Sequence, residues 1–183
     1  QHWPETAPHL DALGGFEEMT LTATARAALR SGSGPSPAAT LAHATATLSH
    51  DLAATDTFVT ALVATLGTEG HVTYADAGHG LAAVARASGG IERIERGTVP
   101  IGVGYGAEAL DHVVTLEPGD LMLIHSDGLL ELAGGPRTTA SAAASIAGAR
   151  TAAEALDRLA ATIGNAPPPD DVTVLIIRRT SDD

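Results

Sequence analysis

The amino-acid sequence predicts an α+β fold in which antiparallel sheets are flanked by helices. Two helical patterns come first, five or six strand patterns with short turns follow, and two more helical patterns precede one last strand. Strands that follow one another across short turns pair antiparallel, because a parallel pair needs a long crossover connection. The length of 183 residues suffices for one domain with a substantial core.

The chain begins with an irregular segment and two helical patterns. Residues 1–16 are polar and aperiodic. Acidic residues at the start and Arg30 at the end support a helix over 17–30. Ser36 is a suitable N-cap and Pro37 a suitable first residue for the second helix. The apolar positions of this second helix recur at helical spacing: Leu41, Ala44, Leu48 and Leu52.

The apolar pattern then changes to the period of strands, with turns rich in glycine and proline between the runs. The predicted strands cover residues 57–66, 71–77, 81–87, 91–95, 112–116 and 121–125. Helical patterns return over 138–147 and 151–163, and Thr151 with Glu154 three residues later indicates a capping box. A last, strongly apolar strand is predicted over 170–179 and completes the order.

Composition excludes several classes of function. The formal charge of −12, from 22 acidic and 10 basic residues, disfavours binding to nucleic acid or an anionic membrane. The absence of cysteine excludes disulfides, thiolate metal sites and a cysteine nucleophile, and it is compatible with a cytoplasmic location. No apolar run approaches the roughly 18 residues that span a bilayer, so we predict no membrane insertion. The chain starts with Gln rather than Met, so we expect an excised domain or a processed product.

Two aspartates stand out by their position. Asp127 follows the apolar strand 121–125, and Asp170 precedes the last apolar strand. If these strands are antiparallel neighbours, the end of one lies beside the start of the other, and both carboxylates meet at one sheet edge. Paired carboxylates suit Mg²⁺ or Mn²⁺, which prefer oxygen ligands. Ordinary turn chemistry accounts for the same two residues, so their spacing leaves both interpretations open.

Four segments in order carry a resemblance to a known family. They are TYADAGHG at 73–80, PIGVG at 100–104, LEPGDLMLIHSDGLLE at 116–131 and PDDVTVLIIRR at 169–179. Together they closely resemble the PPM-type phosphatases of the stage II sporulation protein E and sigma-B regulator kind. The resemblance covers about residues 17–179, with 180–183 as a tail. It implies a sandwich of two antiparallel sheets flanked by helices, with metals at one end between the sheets.

The resemblance also implies an activity and its residues. A water held by the metals attacks phosphoserine or phosphothreonine, with no covalent enzyme intermediate. Asp127 and Asp170 take the places of two metal ligands, for Mn²⁺ or Mg²⁺. Four further residues match the family's motifs and are expected to support the ligands or the fold: Gly128, Asp171, His79 and Glu131. The implied substrate is a phosphorylated protein of the anti-sigma-factor antagonist type. The implied setting is a bacterial signalling or stress-response regulator, in which the domain has an upstream sensor domain or a second copy of the chain as its partner.

The sequence departs from the family at its start. The family's first hairpin, with Gly-Gly-Asp-Phe-Tyr-Asp, has no counterpart here, and the nearest match to the second metal motif is 11–16. There Asp11 and Gly14 align, but Gly15 and Phe16 replace His and Gly. Asp11 is therefore a candidate third ligand or part of an irregular segment. Three explanations remain open: a fragment of an active enzyme, a degenerate domain that binds regulatory partners, or an active variant with other ligands.

Two further patterns are set aside. His125, Ser126 and Asp127 have the residue types of a hydrolase triad, but neighbouring residues on a strand point to opposite faces, and no Gly-x-Ser-x-Gly elbow is present. The glycine-rich segment 102–106 does not precede a helix as a dinucleotide site requires.

Asp76 stands where the family usually has asparagine. A carboxylate lacks the amide donors of asparagine, so the hydrogen bonds at this position must be arranged for an acceptor.

Overall fold

The computed structural model describes residues 35–94, 97–103, 108–164 and 169–180. The predicted segment 1–16 and the predicted helix over 17–30 lie outside these ranges. In chain order the elements are α1 (Pro37–Thr55), β1 (Ala61–Leu66), β2 (His71–Ala77), β3 (Ala82–Ala85), β4 (Ile91–Arg93), β5 (His112–Thr115), β6 (Leu121–His125), α2 (Gly128–Glu131), α3 (Thr139–Ile146), α4 (Ala152–Ala160) and β7 (Val174–Arg178).

The described strands form two antiparallel sheets. The first has the order β1-β2-β5 and the second the order β4-β3-β6-β7. Their facing sides enclose one core, which includes Val72, Tyr74, Val84 and Met122. The α+β sandwich predicted from the sequence is confirmed.

Helices cover the outer side of each sheet. The leucines of α1 pack with Ala75 and Ala77 on the first sheet, while α3 and α4 pack on the second sheet around Ala83, Leu123 and Ile146. Many of these core residues are alanines, which let the helices approach the sheets closely and match the small aliphatic composition. None of the helices within the described ranges could cross a membrane.

Local side-chain caps explain where the helices begin. Ser36 accepts a hydrogen bond from the Ala39 amide at 3.3 Å, and Pro37 opens α1 as predicted. Thr151 caps α4 by accepting from the Glu154 amide at 2.9 Å. The carboxylate of Glu154, however, accepts from the Arg150 amide at 2.9 Å. The reciprocal half of the predicted capping box is therefore wrong, because that carboxylate reaches one residue too far back.

A charged network ties the two sheets together where β6 begins. Arg86, just after β3, donates to the carbonyl of Thr115 at 2.7 Å and to Asp120 at 2.6 Å, and it also pairs with Glu92. The buried Asp120 carboxylate accepts in addition from the amides of Ala87 (2.7 Å) and Glu117 (2.9 Å). Burial alone raises the pKa of Asp120, but these hydrogen bonds and the Arg86 charge outweigh it and hold that pKa below its ordinary value.

Some strand boundaries differ from the prediction. β1 begins at Ala61 rather than 57, since Val59 bridges Ile101 in a separate loop contact. β7 begins at Val174, and residues 170–173 are irregular. The turn Ser88–Gly90 between β3 and β4 is exposed. Its glycines have φ of 96° and 93°, with open space around each.

Candidate metal centre

The ends of β6 and β7 meet at one edge of the second sheet. Their antiparallel register sets His125 opposite Val174, so the residues after β6 lie beside those before β7. Ser126 extends this pairing beyond the strands. Its amide donates to the Thr173 carbonyl at 3.0 Å, while its hydroxyl accepts from the Thr173 amide at 2.9 Å and donates to the Asp171 carbonyl at 3.1 Å. The premise that β6 and β7 are antiparallel neighbours is confirmed.

Gly128 brings the two aspartate segments into direct backbone contact. A Cβ at this position would lie only 2.4 Å from the carbonyl oxygen of Asp171 and 3.4 Å from that of Asp170. Only glycine allows so close an approach. Asp127 precedes this glycine, so the structure brings Asp127, Asp170 and Asp171 to the same edge.

Both candidate ligands are exposed and only partly engaged. Asp127 caps α2, and its Oδ1 accepts from the Gly128 amide at 3.0 Å. The Oδ1 of Asp170 accepts from the Asp171 amide at 2.7 Å. Each carboxylate keeps further lone pairs, and exposure admits a hydrated ion. This oxygen donor set fits Mg²⁺ or Mn²⁺, which are commonly held by one or two carboxylates with water completing the shell.

Two further candidates for the site are Glu131 and Asp11. Glu131 is exposed at the end of α2. Asp11 falls outside the described residues. Among the residues that are described, no group of three or more His, Asp or Glu side chains is placed to hold a metal ion. A cation here would therefore take its remaining ligands from water or from residues outside the described ranges.

Asp76 shapes the loop that carries His79. This carboxylate is buried, and its two oxygens accept from the amides of His79 (3.0 Å) and Gly80 (2.8 Å). The two carboxylate oxygens of Asp76 thus accept from two amide donors, which accounts for aspartate where the family usually has asparagine. The role of Asp76 was not predicted beyond the need for rearranged hydrogen bonds.

His79 is electrostatically coupled to Asp127. Burial lowers the pKa of His79, and the charge of His125 adds to this shift, whereas the carboxylates of Asp76 and Asp127 and the backbone of His125 oppose it. The lowered pKa favours the neutral form of the ring. Its Nε2 is buried and lacks a hydrogen-bond partner within the described part of the chain. The charge of Asp127 acts on this ring, so His79 lies close to the candidate centre.

His125 has a structural role. Its Nδ1 lies 2.7 Å from the Ser126 carbonyl, and its Nε2 lies 3.2 Å from the Thr139 hydroxyl at the start of α3. A carbonyl only accepts, so Nδ1 carries the proton and Nε2 accepts from Thr139. Burial lowers the pKa of His125, which keeps this tautomer neutral. The Ser126 hydroxyl is engaged with the β7 segment instead, which agrees with excluding a hydrolase triad.

Comparisons with known proteins bear on the fold and the family. The family model described as stage II sporulation protein E matches residues 14–180. The RsbU and RsbW domains of Rv1364c from Mycobacterium tuberculosis superpose with a TM-score of 0.72 at 27% identity, over 88% of this chain and 47% of that one. No curated protein matches the sequence.

Two further solved structures share the fold. The SiaA-PP2C domain of Pseudomonas aeruginosa has a TM-score of 0.70 at 23% identity, over 90% of this chain and 71% of that one. RsbX in complex with magnesium has a TM-score of 0.64 at 14% identity, over 86% of this chain and 71% of that one. This chain spans about half the length of the Mycobacterium tuberculosis structure. The family match along nearly the whole chain shows that this PPM phosphatase-like domain belongs to the stage II sporulation protein E family.

Proposed function

We propose that the domain is a metal-dependent protein serine/threonine phosphatase. The observation that carries this proposal is the meeting of Asp127 and Asp170 at one edge, joined by the contacts of Ser126 and Gly128. Family membership and the magnesium complex of RsbX, which has the same fold, support it.

Each residue has a distinct task in this proposal. Asp127 and Asp170 would hold Mn²⁺ or Mg²⁺, with Asp11 as a further candidate ligand. The bound ion would neutralise the phosphoryl group and supply an activated water for attack on phosphorus. Ser126 and Gly128 fix the separation of the two carboxylates. The neutral imidazole of His79 adds no positive charge that would compete with a cation beside Asp127.

We further propose that the substrate is a phosphorylated protein of the anti-sigma-factor antagonist type, in a cytoplasmic bacterial stress-response system. The resemblance of the motifs supports this, as does the occurrence of RsbU and RsbW domains together in the Mycobacterium tuberculosis structure. In this proposal the phosphatase domain spans 17–179 and acts with an upstream sensor or as a homodimer.

A second candidate function is a regulatory protein-binding module with weak or no catalysis. One observation favours it: within the described residues, no third acidic or histidine side chain joins the Asp127–Asp170 pair. The two functions differ in whether the folded chain turns over a phosphorylated substrate in the presence of metal.

The test is Mn²⁺-dependent release of phosphate from a phosphoserine peptide. Asp127→Asn and Asp170→Asn should each weaken activation by Mn²⁺ at least about tenfold. Asp157→Asn, an exposed change on α4, is the matched control and should behave as the parent. Parental activity in both site variants would refute the ligand assignment. A folded parent with no Mn²⁺-dependent activity would favour the binding module.

A further inference from the structure

A cleft of about 430 Å³ lies between the turn at 67–70 and the end of β7. Its volume falls within the range of about 300–1,000 Å³ that small-molecule sites occupy. Along β7, Val174 pairs with His125 at the carboxylate edge, whereas Arg178 pairs with Leu121 at the cleft end. The strand between them spans about 13 Å at roughly 3.3 Å per residue, so the cleft is separate from the candidate metal centre.

Arg179 is held in place within this cleft. Its side chain passes over Gly70, where an added Cβ would lie 2.6 Å from one terminal nitrogen of Arg179 and 2.7 Å from its Cδ. That nitrogen donates to the Leu116 carbonyl at 2.6 Å, and the backbone of Arg179 bonds to Gly119 and Asp120 at 2.8 and 3.1 Å. A guanidinium has five N–H donors, so most of them stay available to a ligand. The glycine thus makes room for a cation whose position is set before a ligand binds.

Both arginines of the cleft lack a counter-ion within the described part of the chain. Arg178 and Arg179 are half-buried, yet neither forms an ion pair there, whereas the half-buried Arg86 pairs with two carboxylates. Arg178 leaves the strand on the opposite face but also lines the cleft, and its Nε is buried without a hydrogen-bond partner in the same residues. A buried unpaired donor costs free energy. An anion that accepts from these guanidinium groups is therefore favoured, although the chain as a whole is acidic.

The remaining lining indicates what accompanies the anion. Leu66 is 59% exposed and forms a wall of the cleft together with Ile177. His71 adds an imidazole, whose Nδ1 lies 3.1 Å from the Thr115 hydroxyl. Glu69 is the one carboxylate among the described residues that line the cleft. The cleft therefore offers cationic donors beside an apolar wall, which suits an anion that carries an apolar group.

We propose that this cleft binds a phosphate monoester, with its phosphoryl group against Arg178 and Arg179 and its apolar part against Leu66 and Ile177. Guanidinium groups match the geometry of phosphate and carboxylate oxygens. Two of them favour phosphate, because a monoester carries a charge of about −1.5 to −2 at pH 7, whereas a carboxylate carries a single charge. The site lies apart from the Asp127–Asp170 pair and needs no metal, so it stands or fails independently of the proposed catalysis.

Calorimetric titration of the chain, after removal of metal with EDTA, tests the site. Phenyl phosphate should bind with a Kd of about 1 mM or lower at low ionic strength, where charge-assisted hydrogen bonds are screened least. Inorganic phosphate should bind more weakly because it lacks the apolar group, and benzoate should bind more weakly still. No binding of phenyl phosphate by the folded parent would overturn the proposal. Equal affinity for inorganic phosphate would overturn the assignment to a monoester, and equal affinity for benzoate would overturn the preference for phosphate.

Charge-matched variants localise the binding. Arg178→Met and Arg179→Met should each weaken the binding of phenyl phosphate at least about tenfold. Arg150→Met, which removes the same charge from an exposed residue just before α4, should leave the affinity unchanged. Asp127→Asn should also leave it unchanged, because the metal-free carboxylate pair takes no part. Parental affinity in both cleft variants, or an equal loss in Arg150→Met or Asp127→Asn, would overturn the assignment.

A further variant guards against misfolding of Arg179→Met, which loses the bond to Leu116. Glu69→Gln alters an exposed residue of the turn and should strengthen the binding of phenyl phosphate at least about twofold, because a carboxylate beside the cleft repels the anion. In amide NMR spectra of the parent, the signals of Gly70 and Arg179 should shift during the titration. Unchanged or weaker binding in Glu69→Gln, or shifts confined to Gly128, would refute the site.

Discussion

Gly128→Ala is expected to destabilise the domain, although helix propensity predicts the opposite. Gly128 is the first residue of α2 and its φ is not in the left-handed region, so alanine should improve the helix by up to about 1 kcal/mol. The new Cβ, however, would lie 2.4 Å from the Asp171 carbonyl oxygen. Carbon–oxygen contacts normally lie at about 3.3–3.6 Å, so the two backbones must separate by roughly 1 Å.

The size of the effect follows from this displacement. Overpacking of this kind costs about 1–3 kcal/mol, which leaves a net loss of up to roughly 2 kcal/mol after a propensity gain of about 1 kcal/mol. For a domain of this size each kcal/mol lowers Tm by about 2–4 °C, so a fall of up to about 8 °C is expected. Because the same shift separates Asp127 from Asp170, Mn²⁺-dependent turnover should fall by on the order of 100-fold.

Thermal unfolding followed by circular dichroism, together with phosphate release from a phosphoserine peptide, measures both effects. Gly67→Ala is the matched control, since its Cβ would lie 3.3 Å from the His71 carbonyl and its φ of −95° suits alanine. The control should gain or lose only a few tenths of a kcal/mol, so its Tm should change by about 1 °C or less. If Gly128→Ala raised Tm and kept parental turnover, the close packing of the two segments would be refuted.

Three further predictions concern the surrounding framework. Arg86→Met leaves the buried Asp120 carboxylate without its cation and should lower the free energy of unfolding in urea by about 3 kcal/mol. The control Arg150→Met, at an exposed ion pair, should lower it by under about 0.5 kcal/mol. Equal losses in the two variants would contradict the inter-sheet network. Because the pKa of Asp120 is lowered in the folded state, its contribution is complete above the unfolded value of about 4 and is lost as pH falls through the folded value, so urea titrations of the parent and Arg86→Met should converge in acid. Asp76→Ala leaves the amides of His79 and Gly80 without their acceptor and should lower the free energy of unfolding by about 2–3 kcal/mol. Hydrogen exchange at these two amides should become faster, and unchanged exchange would contradict the role of Asp76.

The sequence was sufficient for features that depend on local chemistry and on strand order. Ser36 and Pro37 predicted the start of α1, because capping depends on neighbouring residues alone. The meeting of the β6 and β7 ends followed from two apolar runs and the rule that antiparallel neighbours place opposite ends together. Their role as metal ligands stays a prediction.

Features that depend on three-dimensional approach were not predicted. The hydroxyl of Ser126 replaces a backbone group in the ladder, and no periodic pattern marks such a side-chain bridge. The need for glycine at 128 arises from residues more than forty positions later in the chain, so the neighbouring residues alone predict only a turn. α2 is four residues long and too short to show a helical period.

The exposed Ser88–Gly90 turn offers a place to attach a reporter. It lies at the opposite end of the second sheet from Asp127, since Ala85 pairs with Leu121 at the start of β6. It also adjoins β4, the edge strand farthest from β7. Loop tips of small residues with open space around them tolerate insertions. A fluorophore coupled to a single introduced cysteine there, in a chain with no other thiol, would report on binding and unfolding of the domain while leaving the carboxylate edge untouched.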